Sequence, residues 1–192
     1  IKEVSNPFYK EIGEVLETIK DGSNKDKIDS IRNETDKAKR NKLKGGLKSI
    51  CFSGEFSYRS AKNCIKHSGF ACLDFDDLKE PEKFRDDLKK NEYIYAAFVS
   101  PSGNGVKALF KIPAEINNHK KYYEAMCETF DAKLDTKTKD ISRVCYESFD
   151  ADLWVNKDSK VWVLKKEFTE VTRNNKYPSH FQITDTNKKV DV

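Results

Sequence analysis

Asp74 and Asp76 stand two residues apart in Leu73-Asp74-Phe75-Asp76, inside a short apolar run that reads as a β-strand. On a strand, residues i and i+2 leave the same face, so the two carboxylates share one side while Leu73 and Phe75 enter the opposite layer. Two ionised carboxylates that close repel, and a cation between them relieves the repulsion. A hard divalent ion with oxygen ligands, Mg²⁺ or Mn²⁺, suits such a pair and can bridge triphosphate oxygens during displacement at phosphorus. The alternative is a strand running into an acidic turn, Asp76-Asp77, whose charges face water.

Two further segments could join that chemistry. Ser100-Pro101-Ser102-Gly103-Asn104-Gly105-Val106-Lys107 offers two glycines, which let backbone approach a ligand, and N–H groups that could form an anion-binding nest. Lys107, early on the outgoing strand, could reach phosphates held there. A plain β-hairpin with a five-residue loop explains the same residues. In Leu134-Asp135-Thr136-Lys137-Thr138-Lys139-Asp140-Ile141-Ser142-Arg143, either Asp135 or Asp140 could supply a third carboxylate, and Arg143 a bidentate phosphate clamp. Asp140 also reads as a turn or cap residue, and Arg143 as an ordinary exposed strand residue.

The elements that must position these groups are legible as alternating patterns. Asn6-Pro7 followed by Phe8, Ile12, Leu16 and Ile19 predicts a helix ending near Gly22. A polar helix is expected over 24–40 with Ile28 and Ile31 as its apolar anchors, an accessory arm or a nucleic-acid contact. Gly45-Gly46 then breaks the chain. Strands are expected at 47–52, 70–75, 93–100, 106–112, 141–147 and 161–164, and helices at 58–65, 81–88 and 118–134. The resulting expectation is an α+β fold on a mixed or antiparallel sheet. It divides into an N-terminal helical segment (1–42), a core (43–168) and a polar tail (169–192).

Composition narrows the classes. Charged residues make up 35% of the 192 and hydrophobic ones 37%, and no apolar run approaches the roughly 18 residues that span a bilayer. A cytoplasmic protein with no membrane partner is expected. Five widely spaced cysteines, Cys51, Cys64, Cys72, Cys127 and Cys145, read as reduced thiols. Cys64 and His67 have ligand-like spacing, but no second pair completes a zinc site. Net charge is only +4, yet Lys37, Lys39, Arg40, Lys42, Lys44 and Lys48 cluster at a density suited to phosphate contacts or to a solvated helix face.

Taken in order, these motifs resemble the archaeo-eukaryotic primase superfamily: a DxD strand, a Ser/Gly-rich turn into a strand, then an apolar residue followed by Asp. More narrowly, the chain looks like primase-polymerase domains of the VirE amino-terminal kind, found in mobile elements and beside CRISPR loci. Leu47-Lys48, Ser53-Gly54-Glu55-Phe56, Ser68-Gly69, Ser148-Phe149-Asp150 and Asn156 carry the likeness beyond the three motifs, over roughly residues 43 to 157. The resemblance implies an RRM-like palm and primer synthesis and extension from nucleoside triphosphates on a single-stranded DNA template. It implies Asp74, Asp76 and Asp135 as holders of two Mg²⁺ or Mn²⁺ ions, with Asp140 in reserve as third ligand. Ser102, Gly103, Asn104, Gly105, Lys107 and Arg143 would bind the triphosphate. Lys107 stands where many members carry histidine, and a lysine binds phosphate as a point charge. Helicase or CRISPR-associated modules are candidate neighbours in a longer chain. Two other functions fit the same residues: a DNA-binding replication module without polymerase activity, and another metal-dependent phosphotransferase or nuclease.

Overall fold

The structure, a computed structural model, describes residues 7–130 and 140–164. It is an α+β fold whose centre is a four-stranded sheet of β4 (Phe70–Phe75), β5 (Ile94–Val99), β6 (Val106–Lys111) and β8 (Trp154–Val155). The strand order is β4-β6-β5-β8, and each neighbouring pair is antiparallel. Two ribbons flank it: β1 (Ser49–Ile50) with β7 (Cys145–Tyr146), and β2 (Gly54–Phe56) with β3 (Cys64–His67).

The period-two pattern of β4 explains the layers. Ala71, Leu73 and Phe75 are buried on one face with Val106, Ala108 and Phe110 of β6. Helices α4 (Pro81–Leu88) and α5 (His119–Thr129) cover that face, through Leu88 on one and Tyr122, Tyr123 and Met126 on the other. Pro81 sits in the first turn of α4, where a missing N–H costs nothing. The opposite face carries Ala96, Phe98 and Leu109, covered by Leu16 and Ile19 of α1 (Ile12–Lys20) together with Phe52 and Cys145.

The two remaining helices, α2 (Lys25–Asn33) and α3 (Lys37–Lys44), replace the single one expected over 24–40. Glu34 is extended, and Asp36 caps the second helix by accepting from the Lys39 N–H at 2.9 Å. Ile28 and Ile31 are fully buried against Leu47, Tyr146 and Phe149, so α2 is bound to the body by its two apolar anchors. Helix α3 buries none of its residues. The helix expected from Pro7 begins only at Ile12, and Phe8 is 96% exposed.

One element is of the wrong type. Residues 58–65 were expected to be helical, but they hold one 3₁₀ turn, Ala61–Asn63, followed by β3. Pairing decides this, since Gly54 faces His67 and Glu55 faces Lys66 across the ribbon. A side chain at Gly54 would come within 2.4 Å of the Lys66 carbonyl, so the glycine permits the pairing that overrides helix propensity. The strand expected at 161–164 is reduced to one bridge between Val161 and Lys111, and β8 was not anticipated. Helix α5 ends at Thr129; residues 131–134 of the expected helix lie outside the described residues. No helix among the described residues is long and apolar enough to cross a membrane.

Candidate active site

Strand register brings the first functional pair together. Asp74 on β4 lies directly opposite Lys107 on β6, on the sheet face opposite Leu73 and Ala108. Their side chains meet at 2.7 Å, Lys107 Nζ donating to Asp74 Oδ2. Arg143 Nη2 donates to the same oxygen at 3.2 Å. Lys107 is 7% exposed; burial works against its ammonium, but the Asp74 charge prevails and the amine is held above its ordinary value. The Tyr123 ring lies under the Arg143 guanidinium at 5.4 Å, a cation–π contact.

The other Asp74 oxygen is different. Oδ1 is buried and has no hydrogen-bond partner. Such an atom is costly unless something donates to it or coordinates it. Asp76 stands just beyond the strand end, and its carboxyl is raised above the usual range by partial burial and then by the Asp74 charge. A shared hard cation would relieve both the unpartnered oxygen and the repulsion, so the chemistry of this donor set fits Mg²⁺ or Mn²⁺. Among the described residues, no group of three or more His, Cys, Asp or Glu side chains is placed to hold a metal ion.

The Ser/Gly-rich segment is the hairpin joining β5 to β6, with Val99 opposite Val106. Its tip is anchored from several directions. Ser100 N–H bonds Gly105 O at 2.8 Å, Gly103 N–H bonds Ser100 O at 3.0 Å, and Leu78 N–H bonds Asn104 O at 2.9 Å. One donor of the expected nest, Gly103 N–H, is therefore turned inward. Gly103 has φ +76°, and the Arg32 side chain of α2 lies against it. Arg32 Nη2 donates to both Ser100 O and Phe149 O, at 3.2 and 2.8 Å. Gly105 is packed against the end of β4, where a Cβ would lie 2.6 Å from Phe75 O and 3.3 Å from Asp76 Oδ1. The turn and the aspartates are thus one unit, held together at a position that tolerates no side chain.

The structure accordingly brings Asp74, Asp76, Gly105, Lys107 and Arg143 together. Ser102, Gly103 and Asn104 lie on the hairpin tip beside them. Asp135 lies outside the described residues. Asp140 shapes a turn: Oδ1 accepts from the Ser142 N–H and Oγ at 2.8 and 2.7 Å, and its carbonyl accepts the Arg143 N–H at 3.1 Å. It delivers Arg143 to the site.

A narrow cleft of about 10 Å³, partly open to solvent, is lined by Asp74, Lys107, Arg143, Tyr123 and His119 among others. Tyr123, His119 and its partner His67 were missed from sequence. His67 lies next to the Ser68-Gly69 turn and had drawn notice only for its spacing from Cys64. Its ring nitrogen Nε2 meets His119 Nδ1 at 3.0 Å, across 52 residues of chain. Nothing local to either histidine signals that pairing.

No curated protein matches this chain, and no solved structure does. A family match covers residues 42–154, more than half of the chain and every strand from β1 to β7. On that match the chain belongs to the BT4734-like, N-terminal domain family.

Proposed function

We propose that the cleft carries out template-directed nucleotidyl transfer, extending a primer from nucleoside triphosphates as a primase-polymerase on an RRM-like palm. The observation that carries this reading is the unpartnered, buried Oδ1 of Asp74 beside Asp76, on the same face as Lys107 and Arg143. Carboxylates for a metal and cations for a polyphosphate are the two things this chemistry needs. The β4-α4-β5-β6 unit, with its antiparallel order and both helices on one face, supports the palm assignment.

Asp74 and Asp76 would hold Mg²⁺ or Mn²⁺, which when bound activates the primer 3′-hydroxyl and neutralises the triphosphate. Lys107 and Arg143 would exchange Asp74 for phosphate oxygens as the nucleotide enters. Arg143, over the Tyr123 ring, would orient them through its planar fork, whereas Lys107 contributes a point charge. The exposed Lys37, Lys39 and Lys42 of α3 would contact the template backbone.

One observation favours a second reading. Asp74 Oδ2 is already neutralised by two cations, which suits a module that binds nucleic acid without synthesis. Single-stranded template, labelled nucleotides and Mn²⁺ or Mg²⁺ separate the cases. New product supports synthesis, shortened template indicates a nuclease, and a salt-sensitive shift with neither indicates a binding module. Synthesis that survives Asp74→Ala with Asp76→Ala overturns the mechanism.

A further inference from the structure

The histidine pair at the edge of the cleft fixes its own protons. Gly69 N–H donates to His67 Nδ1 at 2.8 Å, so that nitrogen carries no hydrogen. A neutral His67 must then be protonated at Nε2, the atom 3.0 Å from His119 Nδ1. His119 Nδ1 is therefore an acceptor, and a neutral His119 carries its hydrogen on Nε2. Both rings are held neutral: burial lowers His67, and burial together with His67 lowers His119 to about 4. His119 Nε2 has no hydrogen-bond partner among the described residues, and the ring lines the cleft beside Arg143 and Lys107.

We propose that His119 is a ligand-contacting residue, a fixed Nε2–H donor to a phosphate oxygen in this cleft, with His67 as the positioning residue that sets its tautomer. The ligand class follows from the wall chemistry. Lys107 and Arg143 are donors only, both donating to Asp74 Oδ2, and His119 as its tautomer is set is a third donor. An oxyanion with several acceptor oxygens satisfies such a wall, and a polyphosphate does so best. A neutral donor also adds a hydrogen bond without adding to the repulsion between the two cations. The proposal deepens the nucleotidyl-transfer reading but does not require synthesis.

The test uses histidine-labelled protein without divalent metal. Long-range proton–nitrogen spectra should show His119 protonated at Nε2 and His67 likewise. Titration with inorganic tripolyphosphate, then with a nucleoside triphosphate, should move His119 Nε2 more than His67 Nδ1. A shift with both probes assigns the contact to the phosphates, and one with the nucleotide alone overturns that assignment. His119→Phe should weaken binding about tenfold, as expected for a lost hydrogen bond to a charged group. His119→Gln, whose amide N–H can stand near Nε2, should recover most of it. An Nδ1–H tautomer at His119, a His119 signal unmoved by either probe, or equal binding by the Phe and Gln variants overturns the proposal. The parent-protein spectra decide the matter even if a variant fails to fold. Failed synthesis with this binding intact would sink the polymerase reading alone, and synthesis with an unmoved His119 would sink this one alone.

Discussion

Asp150, in the loop before β8, and Asp74, on β4, each pair with a cation, and they are satisfied very differently. Asp150 accepts from Arg85 Nη1 at 2.6 Å and from the Asp152 N–H at 3.1 Å through one oxygen, and from the Val99 N–H at 2.8 Å through the other. Both its oxygens are used, and its side chain is 5% exposed. Asp74 gives one oxygen to Lys107 and Arg143 and leaves the other with nothing. The first is a closed structural joint that holds the end of β5, assisted by Ser148 Oγ donating to Val99 O. The second leaves a buried oxygen unpaired, with the Asp76 charge close enough to act on it. A protein that keeps a buried carboxylate oxygen unpaired is spending stability at that point, which marks where a ligand is expected.

The contrast can be broken by mutation. Asp150→Ala leaves the Val99 N–H unpaired and takes the buried partner from Arg85 Nη1, with Asp86 still paired to that guanidinium; it should cost about 2–3 kcal/mol, read as a large fall in the urea midpoint. A loss under about 1 kcal/mol would remove the structural role given to Asp150. Gly105→Ala forces its Cβ against Phe75 O. It should destabilise by about 2 kcal/mol and reduce nucleotide incorporation disproportionately, because the displaced atoms belong to the Asp76 junction.

Acid unfolding sharpens the comparison on the histidine side of the cleft. Folded His119 takes a proton only at about 4, against 6.5 for the free side chain, because burial and His67 oppose its charge. The unfolded chain therefore binds the proton first, and stability falls as pH drops from 6.5 to about 4, then levels. His119→Gln should flatten that limb of the stability profile. An unchanged slope would show that His119 is not shielded as described. The smallest effect is expected at Lys107→Met, which keeps the buried stem and leaves Asp74 paired to Arg143. Stability should change by less than about 1 kcal/mol, while triphosphate affinity falls about tenfold. Calorimetry on one preparation measures both.

Sequence patterns located β4 and α4 to the residue, at 70–75 and 81–88, because each couples a clean apolar period to a strong boundary signal: Gly69 before the strand and Pro81 at the helix start. They also selected Asp74, Lys107 and Arg143, which share one oxygen in space. They failed at 58–65 because the deciding interaction is pairing with β2, a tertiary event with no local trace. The single helix expected over 24–40 missed the break that Asp36 caps. The clamp from Arg32 and the His67–His119 pair were invisible for the same reason. Each joins segments dozens of residues apart, through side chains whose own neighbourhoods look ordinary.

Arg32 carries a practical lesson. The family match begins at residue 42, after α2 has ended, yet the guanidinium that bridges Ser100 O and Phe149 O comes from α2 itself. The matched stretch is a unit of descent but not a unit of expression. A fragment trimmed to it would lose Leu16, Ile19, Ile28 and Ile31 from two apolar clusters, and the brace over the hairpin with them. Anyone cloning relatives should set the 5′ boundary of the insert well upstream of the recognisable homology.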